Sequence, residues 1–271
     1  MFERILGGQI PMRPTDAIKH DFIGGGRILS EIDICAAIAA RSVVPSMDIA
    51  LVTRAMEKVE FNRPVRVGDV LCSHGKVRRI GRTSVTVDIE VSAQRRKEII
   101  PVTTATAIFV GIGHDGIATP VDGSPRSSLI KPAAAAEAQP QPMPQTGASG
   151  RTIALRKAMF PDELNGMGHI FGGRLLTYLE WAGSYVAELT CTNSAAEACV
   201  VRLMDKIEFR QAVEVNDILT CYGRSTRVGT TSIAVHVEVE VERKGVIIPV
   251  TNADLVFVAV DRFGRKVSAL A

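Results

Sequence analysis

"NGMGHIFGGRLLTYLEWAG" occupies residues 165–183. A polar, glycine-rich loop runs into an apolar segment, and within this stretch that segment carries one acid, Glu180, among Leu176, Leu179, Trp181 and Ala182. An earlier stretch, "HDFIGGGRILSEIDICAAIAA" (20–40), repeats the arrangement, with Gly25–Gly26 standing for Gly172–Gly173 and Asp33 for Glu180. Seven residues separate the second glycine from the acid in both. A fixed spacing of that kind directs attention to internal repetition.

The repetition extends along the chain. "VEFNRPVRVGDVLC" (59–72) matches "IEFRQAVEVNDILT" (207–220), "GRTSVTVDIEV" (81–91) matches "GTTSIAVHVEV" (229–239), and "IIPVTTATAIFV" (99–110) matches "IIPVTNADLVFV" (247–258). All three lie at an offset of 148, and the glycine–acid segments lie at 147. The chain of 271 residues therefore reads as two copies, 1–118 and 151–271. Residues 119–150, rich in Pro, Ala, Ser and Gln and without apolar period, read as a flexible linker long enough to let the copies pack together.

"SVTVDIEV" and "SIAVHVEV" alternate apolar and polar residues, the period of a half-buried strand. "VTTATAIFVGI", "DIALVTRAMEKVEF", "RILGGQIP" and "RTIALRKA" read as further strands. Only the segment after each glycine pair is long and apolar enough for a helix; in Ile28–Ala40 only Ser30, Glu31 and Asp33 are not apolar. A helix apolar on most sides is enclosed by something. The expected fold is α+β, a curved antiparallel sheet wrapped around one helix in each copy.

An acid inside such a helix needs a reason. Asp33 shares a helical face with Leu29, Ser30, Ala36 and Ala37, and Glu180 with Leu176, Thr177, Gly183 and Ser184. Neither has a Lys or Arg three or four residues away, so burial should raise its pKa and make it a usable base. Gly25–Gly26 and Gly172–Gly173 sit at helix starts, where unpaired peptide N–H groups could hold a developing oxyanion, or where a tight turn simply needs glycine. Asn165 and His169 precede the second glycine pair, whereas Ile18 and Phe22 stand at the equivalent places in the first copy.

Other chemistries find little support. A net charge of +3 without a basic stripe does not suggest a nucleic-acid partner. "GIGHDG" (111–116) fits a dinucleotide fingerprint but runs into "IATPVDGSP", which is no helix. There is no GxSxG, no HExxH and no GxxxxGK[ST], so neither a nucleophile elbow, a metal nor a P-loop is expected. The five cysteines, odd in number and without CxxC, are expected as reduced thiols in a cytoplasmic protein, without leader or membrane span.

In their order, "NGMGHIFGG…LLTYLEWAG", "VRLMDKIEFRQAVEVND" and "GTTSIAVHVEV" resemble the acyl-CoA thioester hydrolase family with hot-dog domains, in both its single-domain and its tandem forms. The resemblance covers both copies. It implies two hot-dog domains paired as a pseudo-dimer, further assembly into a homo-oligomer, and metal-free, cofactor-free cleavage of acyl-CoA to acid and CoA. It also implies sites shared between domains, with a loop amide from one and a helix acid from the other. Asn165 then pairs with Asp33, and Glu180 faces the Ile18 loop, a second site lacking its amide. The thioester carbonyl is expected at the N–H groups of Gly172–Gly173, and of Gly25–Gly26 in the second site. Asp33 would activate water or attack directly. CoA contacts are expected near Arg82, Thr83 and Ser84, and near Thr231 and Ser232. Two alternatives remain at this point: a non-catalytic acyl-CoA-binding module, and a hot-dog enoyl-CoA hydratase, whose Asp/His pair His169 alone does not supply.

Overall fold

The computed structural model describes residues 2–124, 150–165 and 168–271. In the first repeat β1 (Arg4–Pro11) leads to a small hairpin, β2 (Ala17–Lys19) and β3 (Phe22–Ile23), and then to helix α1 (Gly25–Arg41). Strands β4 (Ala50–Met56), β5 (Val59–Glu60), β6 (Val70–Ile80), β7 (Ser84–Arg95) and β8 (Glu98–Ile112) follow. The second repeat has β9 (Thr152–Ala158), α2 (Gly172–Thr190), β10 (Ala198–Met204), β11 (Ile207–Glu208), β12 (Ile218–Val228), β13 (Ser232–Arg243) and β14 (Val246–Val260). This is the expected α+β arrangement, one helix laid into one antiparallel sheet, twice. Among the described residues no helix is long and apolar enough to cross a membrane.

The alternation read in the sequence decides which strand face meets the helix. Val85, Val87, Ile89, Val91 and Ala93 of β7 are all buried, as are Ile233, Val235, Val237, Val239 and Val241 of β13. The β7 set packs against a stripe of α1 formed by Leu29, Ile32, Cys35, Ala36, Ala39 and Ala40, and the β13 set against α2. The enclosure is incomplete on one side: Ile38 of α1 and Trp181, Tyr185 and Leu189 of α2 remain exposed.

The structure adjusts three expectations. Helix α1 begins at Gly25, three residues before Ile28, so each glycine pair lies inside the first helical turn rather than before it. The single strand expected over residues 48–61 is divided into β4 and β5. The first repeat also continues beyond residue 118. The Val121 side chain is fully buried in the core, and its N–H donates to the Arg82 carbonyl at 2.9 Å. The remainder of the expected linker, 125–149, lies outside the described residues.

The division of the long strands marks the seam between repeats. Strand β5 pairs antiparallel with β10 (Glu60 with Leu203, Val59 with Met204), and β11 pairs with β4 (Ile207 with Met56, Glu208 with Ala55). Phe61 N–H donates to Arg202 O at 2.9 Å and Phe209 N–H to Arg54 O at 3.0 Å, extending both ladders in the same register. Each of the two six-stranded sheets, β1-β6-β7-β8-β4-β11 and β5-β10-β14-β13-β12-β9, thus takes one short edge strand from the other repeat. On the other side of the seam the two helices cross. A Cβ on Gly26 would stand 2.8 Å from Thr177 Cα, and one on Gly173 would stand 3.0 Å from Ser30 Cα. Thr177 Oγ1 donates to Gly26 O at 2.9 Å across this crossing. The second glycine of each pair is therefore a close-approach glycine. Gly24–Gly26 and Gly172–Gly173 are all absent from the positive-φ positions, so no turn conformation demands them.

Alanine at a helical glycine ordinarily stabilises by up to about 1 kcal/mol. Here the clash decides the sign. Gly26→Ala and Gly173→Ala should each destabilise by about 1–3 kcal/mol, read in calorimetry as a fall in Tm of roughly 2–10 °C. An unchanged or raised Tm would mean that the helices have room to part.

Candidate functional site

The crossing helices carry each acid to the N-terminus of the other repeat's helix. Asp33 is fully buried, with Oδ2 3.2 Å from where a Cβ on Gly172 would stand. Its Oδ1 accepts a 2.8 Å hydrogen bond from Thr53 Oγ1 on β4. The carboxyl is pushed up to about 6 by burial, against which the Thr53 hydroxyl and the Gly173 N–H favour the ionised form. The Gly173 contact is an approach, because Oδ2 completes no hydrogen bond among the described residues.

Glu180 mirrors this position with poorer company. It is fully buried, with Oε1 and Oε2 3.4 and 3.1 Å from notional Cβ atoms on Gly25 and Gly26. Burial pushes it up to about 7, offset in part by the N–H groups of Gly26 and Gly25. Neither carboxylate oxygen completes a hydrogen bond among the described residues. At the place of Thr53 the second repeat has Val201, whose Cγ1 would lie 2.0 Å from a Cβ on Gly25. One acid has a hydroxyl partner and the other a methyl group. Thr53 was not singled out from sequence, yet a Thr/Val exchange at matching repeat positions is the signal that marks it.

The loops differ as well. Leu164 and Ile170 form a bridge that closes the Asn165 loop, as Ala17 and Ile23 close the β2–β3 hairpin. Asn165 N–H donates to His169 O at 2.7 Å, and its Oδ1 accepts from His169 N–H at 3.2 Å, so loop contacts fix its amide plane. Gly166 and Met167 lie outside the described residues. In the first repeat Ile18 takes the Asn165 position, with Cγ2 2.7 Å from a notional Cβ on Gly24. Asp16 and Asp21, the acids that flank Ile18 in sequence, are committed to Arg27 and Arg66.

Polar clusters brace both loops. Glu163, buried beside the Asn165 loop, accepts from Lys157 Nζ at 2.7 Å and from the Tyr178 hydroxyl. Its main-chain carbonyl accepts from Phe171 N–H at the start of α2. In the first repeat Arg27 binds Asp16 and Glu31. Glu163, Asp16, Arg27 and Glu31 line a groove of about 920 Å³, which neither Asp33 nor Glu180 lines.

The proposed CoA contacts lie elsewhere. Arg82, Thr83 and Ser84 form the β6–β7 turn, where the carbonyls of Arg82 and Thr83 accept from Val121 and Gly111. Thr231 and Ser232 occupy the matching turn, with carbonyls accepting from Ala259 and Gly229. None of the five lines either large cavity. A second cavity, of about 410 Å³, opens instead beside Gly25 and Ile18 and has Arg63, Arg202 and Lys266 among its lining residues. Sequence reading missed these three cations. For two of them the signal lay in repeat positions where the other copy has no charge, Gln211 for Arg63 and Ala118 for Lys266. Among the described residues no cluster of His, Cys, Asp and Glu could hold a metal ion.

Comparison with known proteins places the fold. The sequence profile of the thioesterase superfamily matches residues 20–100 and 167–248, one stretch in each repeat. An uncharacterized acyl-CoA thioester hydrolase of Haemophilus influenzae is 30% identical over 132 residues, 47% of this chain and 84% of that protein. The acyl-CoA thioester hydrolase YciA of Salmonella typhimurium is 32% identical over 113 residues, 40% of this chain and 83% of that protein. The crystal structure of an acyl-ACP thioesterase from Bacteroides thetaiotaomicron superposes with a TM-score of 0.62 at 12% identity, covering 94% of this chain and 97% of that one. The 12:0-ACP thioesterase from Umbellularia californica gives 0.64 at 13% identity, covering 95% and 94%. At such identities the two structures speak for the fold alone. The profile, matched over more than half of the chain and in both copies, makes this protein a member of the thioesterase superfamily, with two hot-dog repeats in one polypeptide.

Proposed function

We propose that the chain hydrolyses acyl-CoA thioesters, and that it does so where Asp33 of the first repeat meets the α2 N-terminus and the Asn165 loop of the second. The names of the similar hydrolases support the substrate class. The observation that carries the site is the Asp33 carboxylate: fully buried, anchored at one oxygen by Thr53, open at the other, and facing the other repeat's helix N-terminus.

The chemistry follows from that placement. The first N–H groups of a helix have no intrahelical acceptor, so the Gly172 end of α2 can take the thioester carbonyl oxygen and stabilise it as charge develops. Asp33, ionised above about pH 6, takes a proton from a water molecule. The hydroxide adds to the carbonyl carbon, the C–S bond breaks, and the proton held by Asp33 passes to the leaving thiolate. Asn165 orients the carbonyl or the water. The turns at Arg82–Ser84 and Thr231–Ser232 belong to this reading as contacts for the pantetheine arm. Assembly of several copies belongs to it too, and the exposed apolar stripe of α2 supports it.

Thioester cleavage followed by thiol release should separate the two acids. Asp33→Asn and Asn165→Ala are each expected to lower turnover by at least about a hundredfold, the usual scale for a lost acid–base group. Glu180→Gln should leave most of it. Equal losses from Asp33→Asn and Glu180→Gln would mean that both sites work, and full activity in Asp33→Asn would leave both acids structural.

The role of Asp33 as base gives two further readouts. Because only the ionised form accepts a proton, kcat/KM should climb tenfold per pH unit below about 6 and level off above it. A single turnover in ¹⁸O-labelled water should place the label in the released acid and none in Asp33 by mass spectrometry; label in Asp33 would assign direct attack instead.

Burial of the acids also has a stability signature. A carboxyl whose pKa rises on folding binds more protons in the folded chain, so stability falls as pH climbs from the unfolded to the folded pKa. For Glu180 that window runs from 4.5 to about 7. Glu180→Gln keeps the shape and removes the charge. It should therefore raise Tm by several degrees at pH 8 and by much less at pH 4.5. Equal shifts at both pH values would show that Glu180 is not buried as a charge.

A further inference from the structure

We infer that the 410 Å³ cavity on the Glu180 side is a second binding site for a CoA thioester, one that holds the ligand without hydrolysing it. The inference rests on the acyl-CoA reading above and assigns a job to the half of the molecule that reading leaves idle.

The lining divides in two. Its interior is apolar, with Phe22, Ile23, Ile28, Val201, Val258 and Val260 among its walls. Its rim carries Arg63, Arg202 and Lys266, and no Asp or Glu lines it. Arg63 and Lys266 are exposed and enter no ion pair among the described residues. Arg202 Nη1 is buried without a hydrogen-bond partner, and its Nη2 stands 3.8 Å from Glu60. The repeat-related Arg54, by contrast, donates from Nη1 to Phe209 O. At the rim positions matching Arg63 and Lys266 the other side has Gln211 and Ala118, while Arg210 there stands for Asn62. Two unpaired cations, Arg63 and Lys266, and the unpartnered Nη1 of Arg202 above an apolar interior fit an elongated ligand with phosphates at one end and a thioester arm at the other.

The inner end of the same cavity explains why such a ligand would persist. Gly25 lines it, and behind Gly25 lies the unpartnered Glu180 carboxylate. The residues that equip the opposite side are replaced: Ile18 stands for Asn165 and Val201 for Thr53. A thioester seated here meets the helix start at Gly25, behind which the Glu180 carboxylate lies, with neither the loop amide nor the hydroxyl that holds Asp33. Binding is kept and the reacting geometry is not.

Isothermal titration of the full chain with a non-hydrolysable thioether analogue of a short acyl-CoA should give two equivalents per chain. In Arg63→Glu/Lys266→Glu one equivalent should remain unchanged while the other weakens at least about tenfold, about 1.4 kcal/mol. The milder Arg63→Gln/Lys266→Gln pair, expected to shift the same equivalent in the same direction, serves where charge reversal unfolds the chain. One equivalent in the unaltered chain overturns the inference, as does a second equivalent that survives both double variants. ADP binding the second site as tightly as the thioether would overturn the thioester assignment in favour of a nucleotide. A thiol-release assay run alongside keeps the two readings apart. Hydrolysis with a single equivalent bound sinks only this inference, and two equivalents without hydrolysis sink only the catalytic reading.

Discussion

The helix crossing is the constraint on which the rest of the molecule depends. Gly26 sits against Thr177 and Gly173 against Ser30 at distances where an added Cβ would press on the facing backbone. That approach carries Asp33 to the start of α2 and Glu180 to the start of α1. The two buried carboxylates have no cationic partner; helix N-terminal N–H groups, and Thr53 for Asp33, favour their ionised forms, and even so both pKa values stay raised. The exchanged edge strands tie the repeats together away from the crossing. The pairings of β4 with β11 and of β5 with β10 hold the repeats in one register at the seam.

Much of this was legible because the sequence contains its own comparison. The offset between copies exposed both glycine pairs, both acids and the exchange of Asn165 for Ile18. The alternation in β7 and β13 identified the strand faces that bury. What could not be read is whatever depends on close approach. Nothing in "GGR" distinguishes a turn glycine from a glycine under another helix's backbone, because the neighbour lies about 150 residues away in the chain. Thr53 escaped for the same reason. On a strand it is an ordinary polar residue, and only the fold sets it against Asp33. Val121 was assigned to a linker on composition, although its side chain closes the end of a core.

The cationic rim beside Gly25 belongs to this second class. Arg63 comes from the segment after β5, Arg202 from β10 and Lys266 from the chain after β14, so only the folded molecule gathers them. The braces behind the loops are gathered in the same way. Lys157 and Tyr178 reach Glu163 from a strand and a helix, and hold the turn that leads into α2.

Because each buried acid faces the helix start of the other repeat, neither repeat holds both halves of that arrangement. In a dimer of identical single repeats, one codon change would reach both acids' surroundings at once. Joining the repeats in one gene separates them. A substitution at residue 18 reaches Glu180 and leaves Asp33 alone, and a substitution at residue 53 does the reverse. The fused chain can therefore inherit two different environments from one ancestral geometry, and the exchanges of Asn165 for Ile18 and of Thr53 for Val201 are what that freedom looks like in the coding sequence.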